Sequence, residues 1–147
     1  MDAPARIVPP PYELRAPVAA DKAYVCATMT RALADTRRLH GDLGRAGQLV
    51  DRILDDSRSR LLVASELGGQ QRILGWTLYA DKPARPRIVH FVYSRRKGMG
   101  VGTALLRAIG VTPYDTVIAT CPAPMRDWLD RRAAKVVNLD IEREFLP

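Results

Sequence analysis

Apolar residues recur along the chain with two periods, and the switches between them mark its elements. Pro9-Pro10-Pro11 forms a stiff lead-in, after which Tyr12-Glu13-Leu14-Arg15 reads as a short strand. Asp21 is placed to cap a helix carrying Tyr24, Val25, Met29, Leu33 and Ala34 at helical spacing. Gly41, Gly44 and Gly47 interrupt the run. A second helical stripe of Leu49, Val50, Ile53 and Leu54 follows and ends at Asp55-Asp56-Ser57.

From Arg60 the period shortens. Leu61-Leu62-Val63-Ala64 predicts a strand, Gly68-Gly69 a turn and Ile73 to Tyr79 the second strand of a hairpin. A loop runs from Asp81 to Pro86, and Ile88-Val89-His90-Phe91-Val92-Tyr93 is apolar enough for a strand covered on both faces. Thr103 to Ile109 predicts a helix, and Val117 to Cys121 a buried strand parallel to the preceding one, by the strand, helix, strand rule. Pro124 starts a helix with Met125, Trp128 and Leu129, near whose end stand Arg131-Arg132. Val136 to Ile141 is the last strand.

The junction at Arg95-Arg96-Lys97-Gly98-Met99-Gly100-Val101-Gly102-Thr103 carries the chemistry. Glycines at every second position let backbone N–H groups approach a ligand with no Cβ in the way, and the next helix aims its positive end at the same point. Such a junction suits phosphate. A P-loop needs its lysine after the glycines, whereas Lys97 precedes them. The dinucleotide fingerprint needs GxGxxG near the start of a βαβ unit, whereas this loop is GxGxG and arrives late in the chain. A tight strand-to-helix turn with no ligand is the plain alternative.

Composition narrows the picture only modestly. The 147 residues suit one domain spanning 1–147, with 47% hydrophobic and 27% charged residues as in ordinary soluble proteins. No apolar run is long enough for a bilayer and no apolar stretch follows the first residues, so a cytoplasmic location is the expectation. Cys26 and Cys121 stand apart, and with His40 and His90 they give no metal-ligand spacing, so no metal is expected. The net charge of +7 rests on 19 arginines against 4 lysines. That balance favours phosphate-rich partners, a nucleotide cofactor or nucleic acid, although a GC-rich genome also selects arginine.

The order of elements, with Lys97, Gly100 and Gly102 on the cofactor-loop spacing and Leu105-Leu106 behind it, resembles the GCN5-related N-acetyltransferase (GNAT) family, in its compact bacterial or phage-encoded form. Lys97 stands where that family usually has Arg or Gln, and Val92-Tyr93-Ser94 lacks the proline of its Val-x-Pro signature. The resemblance implies an α/β (α+β) fold with a mixed sheet of about six strands flanked by about four helices. It also implies acetyl-CoA as cofactor and transfer of its acetyl group to a primary amine. The cofactor site would comprise Val92, Tyr93, Arg95, Arg96, Lys97, Gly98, Met99, Gly100, Val101, Gly102 and Thr103.

For catalysis, side chains two apart on a strand share a face, which groups Pro86, Ile88, His90 and Val92. His90 is the titratable one, and its near-neutral reference pKa suits a general base; a half-buried structural histidine is the alternative. The family's tyrosine acid has no counterpart in Met125 to Asp130, which leaves Tyr93, with Tyr114 as a further phenol, or water. Acceptor specificity would sit between Asp21 and Asp56 and near Pro83 to Pro86, where Asp35, Asp42, Asp51 and Asp55 are either amine ligands or solvated charges. The runner-up reading is a non-acetylating, phage-type protein of the same fold that binds or modifies nucleic acid or a host protein.

Overall fold

The computed structural model describes residues 11–36, 39–67, 72–80, 87–95, 98, 100–120 and 123–138. Pro9, Pro10, the Gly68-Gly69 turn, the loop from Asp81 to Pro86, Arg96, Lys97, Met99, Cys121 and the chain from Leu139 onward lie outside them.

Alternating apolar residues build six strands in one sheet, in the order β1 (Tyr12–Arg15), β2 (Ser59–Glu66), β3 (Ile73–Ala80), β4 (Arg87–Ser94), β5 (Thr116–Ala119) and β6 (Lys135–Asn138). The first four are antiparallel to their neighbours, whereas β5 runs parallel to β4 and β6 parallel to β5. The described residues also form four helices: α1 (Ala19–Ala34), α2 (Leu43–Asp55), α3 (Val101–Ala108) and α4 (Ala123–Asp130). The mixed sheet with four helices is the expected architecture.

The two faces of the sheet bury separate cores. On one, Val63, Trp76, Leu78 and Phe91 meet Val25, Met29 and Leu33 of α1 and Ala46, Leu49, Val50 and Ile53 of α2. On the other, Val89, Val92, Val117 and Ala119 meet Leu106 and Leu129, while Leu74 and Ala64 meet Val101 and Leu105. Removing this apolar area from water is the main force holding both helix layers to the sheet.

Two local expectations are corrected. Asp21 does not cap α1 from outside: the cap is Val18, and Asp21 sits in the first turn, where its carboxylate accepts from the Val18 N–H at 2.8 Å. Arg15 binds the same buried carboxylate through both terminal nitrogens, at 2.6 and 3.1 Å, which holds its pKa below the usual carboxylate range. Nor do Gly44 and Gly47 break the second helix. Asp42 caps it by accepting from the Arg45 N–H, and a fully buried stripe of Ala46, Leu49, Val50 and Ile53 outweighs the roughly 1 kcal/mol that each helical glycine costs. Gly41, with φ of 82°, is the one that turns the chain.

Candidate functional site

The site begins where β4 and β5 part. Among the described residues their ladder ends at Val89 opposite Ala119, extended by the Thr120 N–H donating to the Val89 carbonyl at 3.1 Å. Beyond it the β4 edge faces a cleft, and the Val92 N–H donates to Sδ of Met125 on α4 at 3.1 Å. The cleft measures about 730 Å³ and is lined by Val92 and Ser94 of β4, Gly98, the first residues of α3, and Met125, Trp128, Arg131 and Arg132 at α4.

The floor of this cleft is glycine because the backbone there demands it. Gly98 and Gly100 have φ of 86° and 72°, and Gly100 is the left-handed residue from which α3 departs. Space is open where a Cβ would stand on either, so the loop presents bare backbone to the cleft. Ala104 donates back to Gly100, whereas the N–H groups of Val101, Gly102 and Thr103 open the helix, at its electropositive end.

Glycine serves a second purpose beneath and behind the loop. A Cβ on Gly75 of β3 would stand 2.5 Å from the Tyr93 carbonyl oxygen and 2.7 Å from Val101 Cγ1, so α3 can start this low over the sheet only above a glycine. A Cβ on Gly102 would meet the Trp128 ring at 2.8 Å. Trp128 is in turn covered by the Arg132 guanidinium, 4.0 Å from the ring centroid. Arg132 Nε donates to Thr103 Oγ1 at 3.1 Å and its Nη1 to the Trp128 carbonyl at 3.0 Å, which ties the end of α4 to the first turn of α3. Two arginines, Arg131 and Arg132, therefore line the cleft beside the first turn of α3. Burial and the neighbouring charge of Arg131 lower the Arg132 pKa.

The opposite face of β4 carries an aromatic group. Trp76 stacks on Phe91 and on Tyr93, with ring centroids 5.3 and 5.8 Å apart, and Tyr24 of α1 meets Tyr93 edge-on. Tyr24 Oη donates to Tyr93 Oη at 3.2 Å, and burial together with this bond pushes the Tyr24 pKa up to about 12. Trp76 Nε1 donates to Thr28 Oγ1 at 3.2 Å.

No family model matches the sequence, and no curated protein matches it either. The fold has counterparts among solved structures. One, a histone acetyltransferase and related acetyltransferase from Corynebacterium glutamicum, aligns with a TM-score of 0.57 at 14% identity, covering 82% of this chain and 82% of its own. A protein from Pyrococcus furiosus assigned as an acetyl transferase gives 0.52 at 17% identity, covering 87% of this chain and 81% of its own. Another from Desulfovibrio desulfuricans, assigned to the acetyltransferases of the GNAT family, gives 0.50 at 18%, covering 82% of each. This chain has the GNAT fold.

Within the GNAT fold of this chain, Val92, Gly98, Gly100, Val101, Gly102 and Thr103 line one cleft. Tyr93 and Arg95 do not line it. Tyr93 faces α1, and the charge of Arg95 acts on Tyr24. Arg96, Lys97 and Met99 fall outside the described residues.

His90 departs from its expected surroundings. Phe91 pairs with Leu78 but Val89 pairs with Tyr79, so His90 is the extra residue of a β-bulge. The two-apart rule fails across it: Val89 and Val92, three apart, share one core. His90 is 3% exposed and its Nδ1 lies 2.9 Å from Thr120 Oγ1. Burial pushes its pKa down to about 4, which corrects the expectation of a near-neutral group.

Ser94, Met125, Trp128, Arg131 and Arg132 line the cleft but are not among the cofactor-site residues assigned from the sequence. The four-residue spacing of Trp128 and Arg132 was a usable signal, because at a helix end it brings a cation back over an indole. Nothing in the sequence pointed to Tyr24.

Proposed function

We propose that the protein is an acetyl-CoA-dependent N-acetyltransferase acting on a primary amine. The observation that carries this is the continuity of one cleft from the released edge of β4 to the positive-φ glycines and the opening N–H groups of α3. An extended, amide-bearing arm fits a strand edge that has parted from its neighbour, where it pairs as an added strand would once Met125 yields the Val92 N–H. A pyrophosphate fits the bare backbone at the start of α3 with Arg131 and Arg132 beside it. When bound, acetyl-CoA supplies the thioester whose acetyl group is transferred.

The chain's own groups divide the remaining work. Val92, Ser94 and the glycines orient the cofactor, and Trp128 with Arg132 keeps α3 and α4 in fixed relation. Tyr93, on the α1 side of β4 and outside the cleft lining, is assigned as proton donor to the leaving thiolate across the opening where β4 and β5 part: Tyr24 donates to its oxygen, which leaves the Tyr93 O–H to point elsewhere. Deprotonation of the amine is assigned to water, because a histidine as buried and as weakly basic as His90 makes a poor base at neutral pH.

The test is thermal unfolding with and without acetyl-CoA, followed by thiol release with a panel of amines, polyamines and peptides. A ligand at a hundred times its Kd stabilises by about 2.7 kcal/mol, a readily measured shift. Gly100→Val, which puts a β-branched residue at φ of 72°, should abolish that shift. No shift in the native protein at millimolar acetyl-CoA would sink the proposal. The net charge of +7 supports the second reading, and salt-sensitive DNA binding without thiol release would favour it.

A further inference from the structure

We propose that Met125 is a displaceable plug on the edge of β4, and that its side chain sets the length of acyl chain the protein accepts; this rests on the acyl-CoA reading above. The sheet separates two cores, yet Met125 packs against both of them. A side chain on α4 reaches the α1 and α2 side only through the opening where β4 and β5 part, beyond Val89 and Ala119. Met125 fills that opening, and its sulfur holds the Val92 N–H at 3.1 Å.

That hydrogen bond is made to be exchanged. A thioether sulfur is a weak acceptor and a carbonyl oxygen a strong one, so a thioester carbonyl arriving along the β4 edge would take the Val92 N–H from Met125 and improve it. Methionine is also the apolar side chain best able to move, with three rotatable bonds and no branch. On the far side its arm packs against the core that contains Trp76 and Phe91 and against which Tyr93 also packs. An acetyl group needs only the sulfur to step aside, whereas a butyryl chain needs the space of the whole arm.

The experiment measures binding of acetyl-CoA and butyryl-CoA by calorimetry in the native protein and in Met125→Ala, with Met125→Val as a second shortened variant should the first not fold. The native protein should prefer acetyl-CoA, and the shortened variants should shift that ratio toward butyryl-CoA on the order of tenfold. In parallel, protein carrying ¹³C-methyl methionine should show the Met125 resonance, identified by its loss in Met125→Val, moving as acetyl-CoA is added. Binding with an unchanged ratio and an unmoved Met125 methyl overturns the plug and leaves the acyl-CoA reading standing. Absence of binding by the native protein to either thioester overturns both.

Discussion

Replacing Gly102 by alanine tests how tightly the cofactor loop is fixed by what stands behind it. Gly102 has helical backbone, so alanine there meets no conformational penalty of its own, and its helix propensity is better by about 1 kcal/mol. What it meets is the Trp128 ring, at 2.8 Å to Cζ2 and 3.0 Å to Cη2. Ordinary carbon contacts are about 3.5–4.0 Å, so the ring must move by about 0.7–1.2 Å. It is poorly placed to do so, with Arg132 stacked on it and that arginine bonded to Thr103 and to the Trp128 carbonyl. Overpacking of this kind costs about 1–3 kcal/mol, and a net loss near 2 kcal/mol would lower Tm by roughly 4–8 °C for a chain of this size. Trp128→Phe deletes the two clashing atoms, so a double-mutant cycle by urea unfolding isolates the cause. Gly102→Ala should cost much less in the Trp128→Phe background than in the native one. Equal cost in both backgrounds would refute the claim that the indole sets the requirement for glycine.

Two further outcomes are expected. Unfolded His90 takes up a proton near its ordinary value of 6.5, while the folded residue resists protonation down to about 4, so the unfolded state binds more protons between these limits and stability falls as pH drops through that window. The loss amounts to about 3 kcal/mol at most, and His90→Gln should flatten the urea midpoint between pH 7 and pH 4.5, where Asp21 and Asp56, both held below their usual range, contribute little. For catalysis, Tyr93→Phe should lower kcat on the order of 10²-fold with little change in KM for acetyl-CoA, and a parallel rise in KM instead would place Tyr93 in binding rather than proton transfer.

Most elements were legible because each buries a periodic apolar stripe, and the stripe survives whatever the neighbours do. The apolar run of β4 predicted a strand covered on both faces, and Val89, Phe91 and Val92 are buried accordingly. The glycine junction was legible as a cleft because positive-φ glycines before a helix leave a signature in spacing alone. What escaped depended on the third dimension. The α2 glycines looked like breakers because sequence cannot weigh a buried stripe against the cost of glycine. His90 was assigned to a face by counting in twos, and the bulge at that residue undid the count. Met125 and Arg132 reach the cleft only because α4 folds back across the start of α3, a contact between segments more than twenty residues apart.

The bulge at His90 has a reach well beyond the residue itself. It sets the parity of everything downstream on β4: because one residue goes uncounted, Val92 and Ser94 face the glycine cleft while Tyr93 faces α1. Pairing His90 into the ladder, with no bulge, would exchange the two sets, turning an aromatic ring into the cleft, whereas removing the residue would leave a regular ladder with the same faces. The end of the strand thus behaves like a two-sided lock whose orientation is held by the bulge, and a slip of one residue in its pairing with β3 would do more to the chemistry than most substitutions.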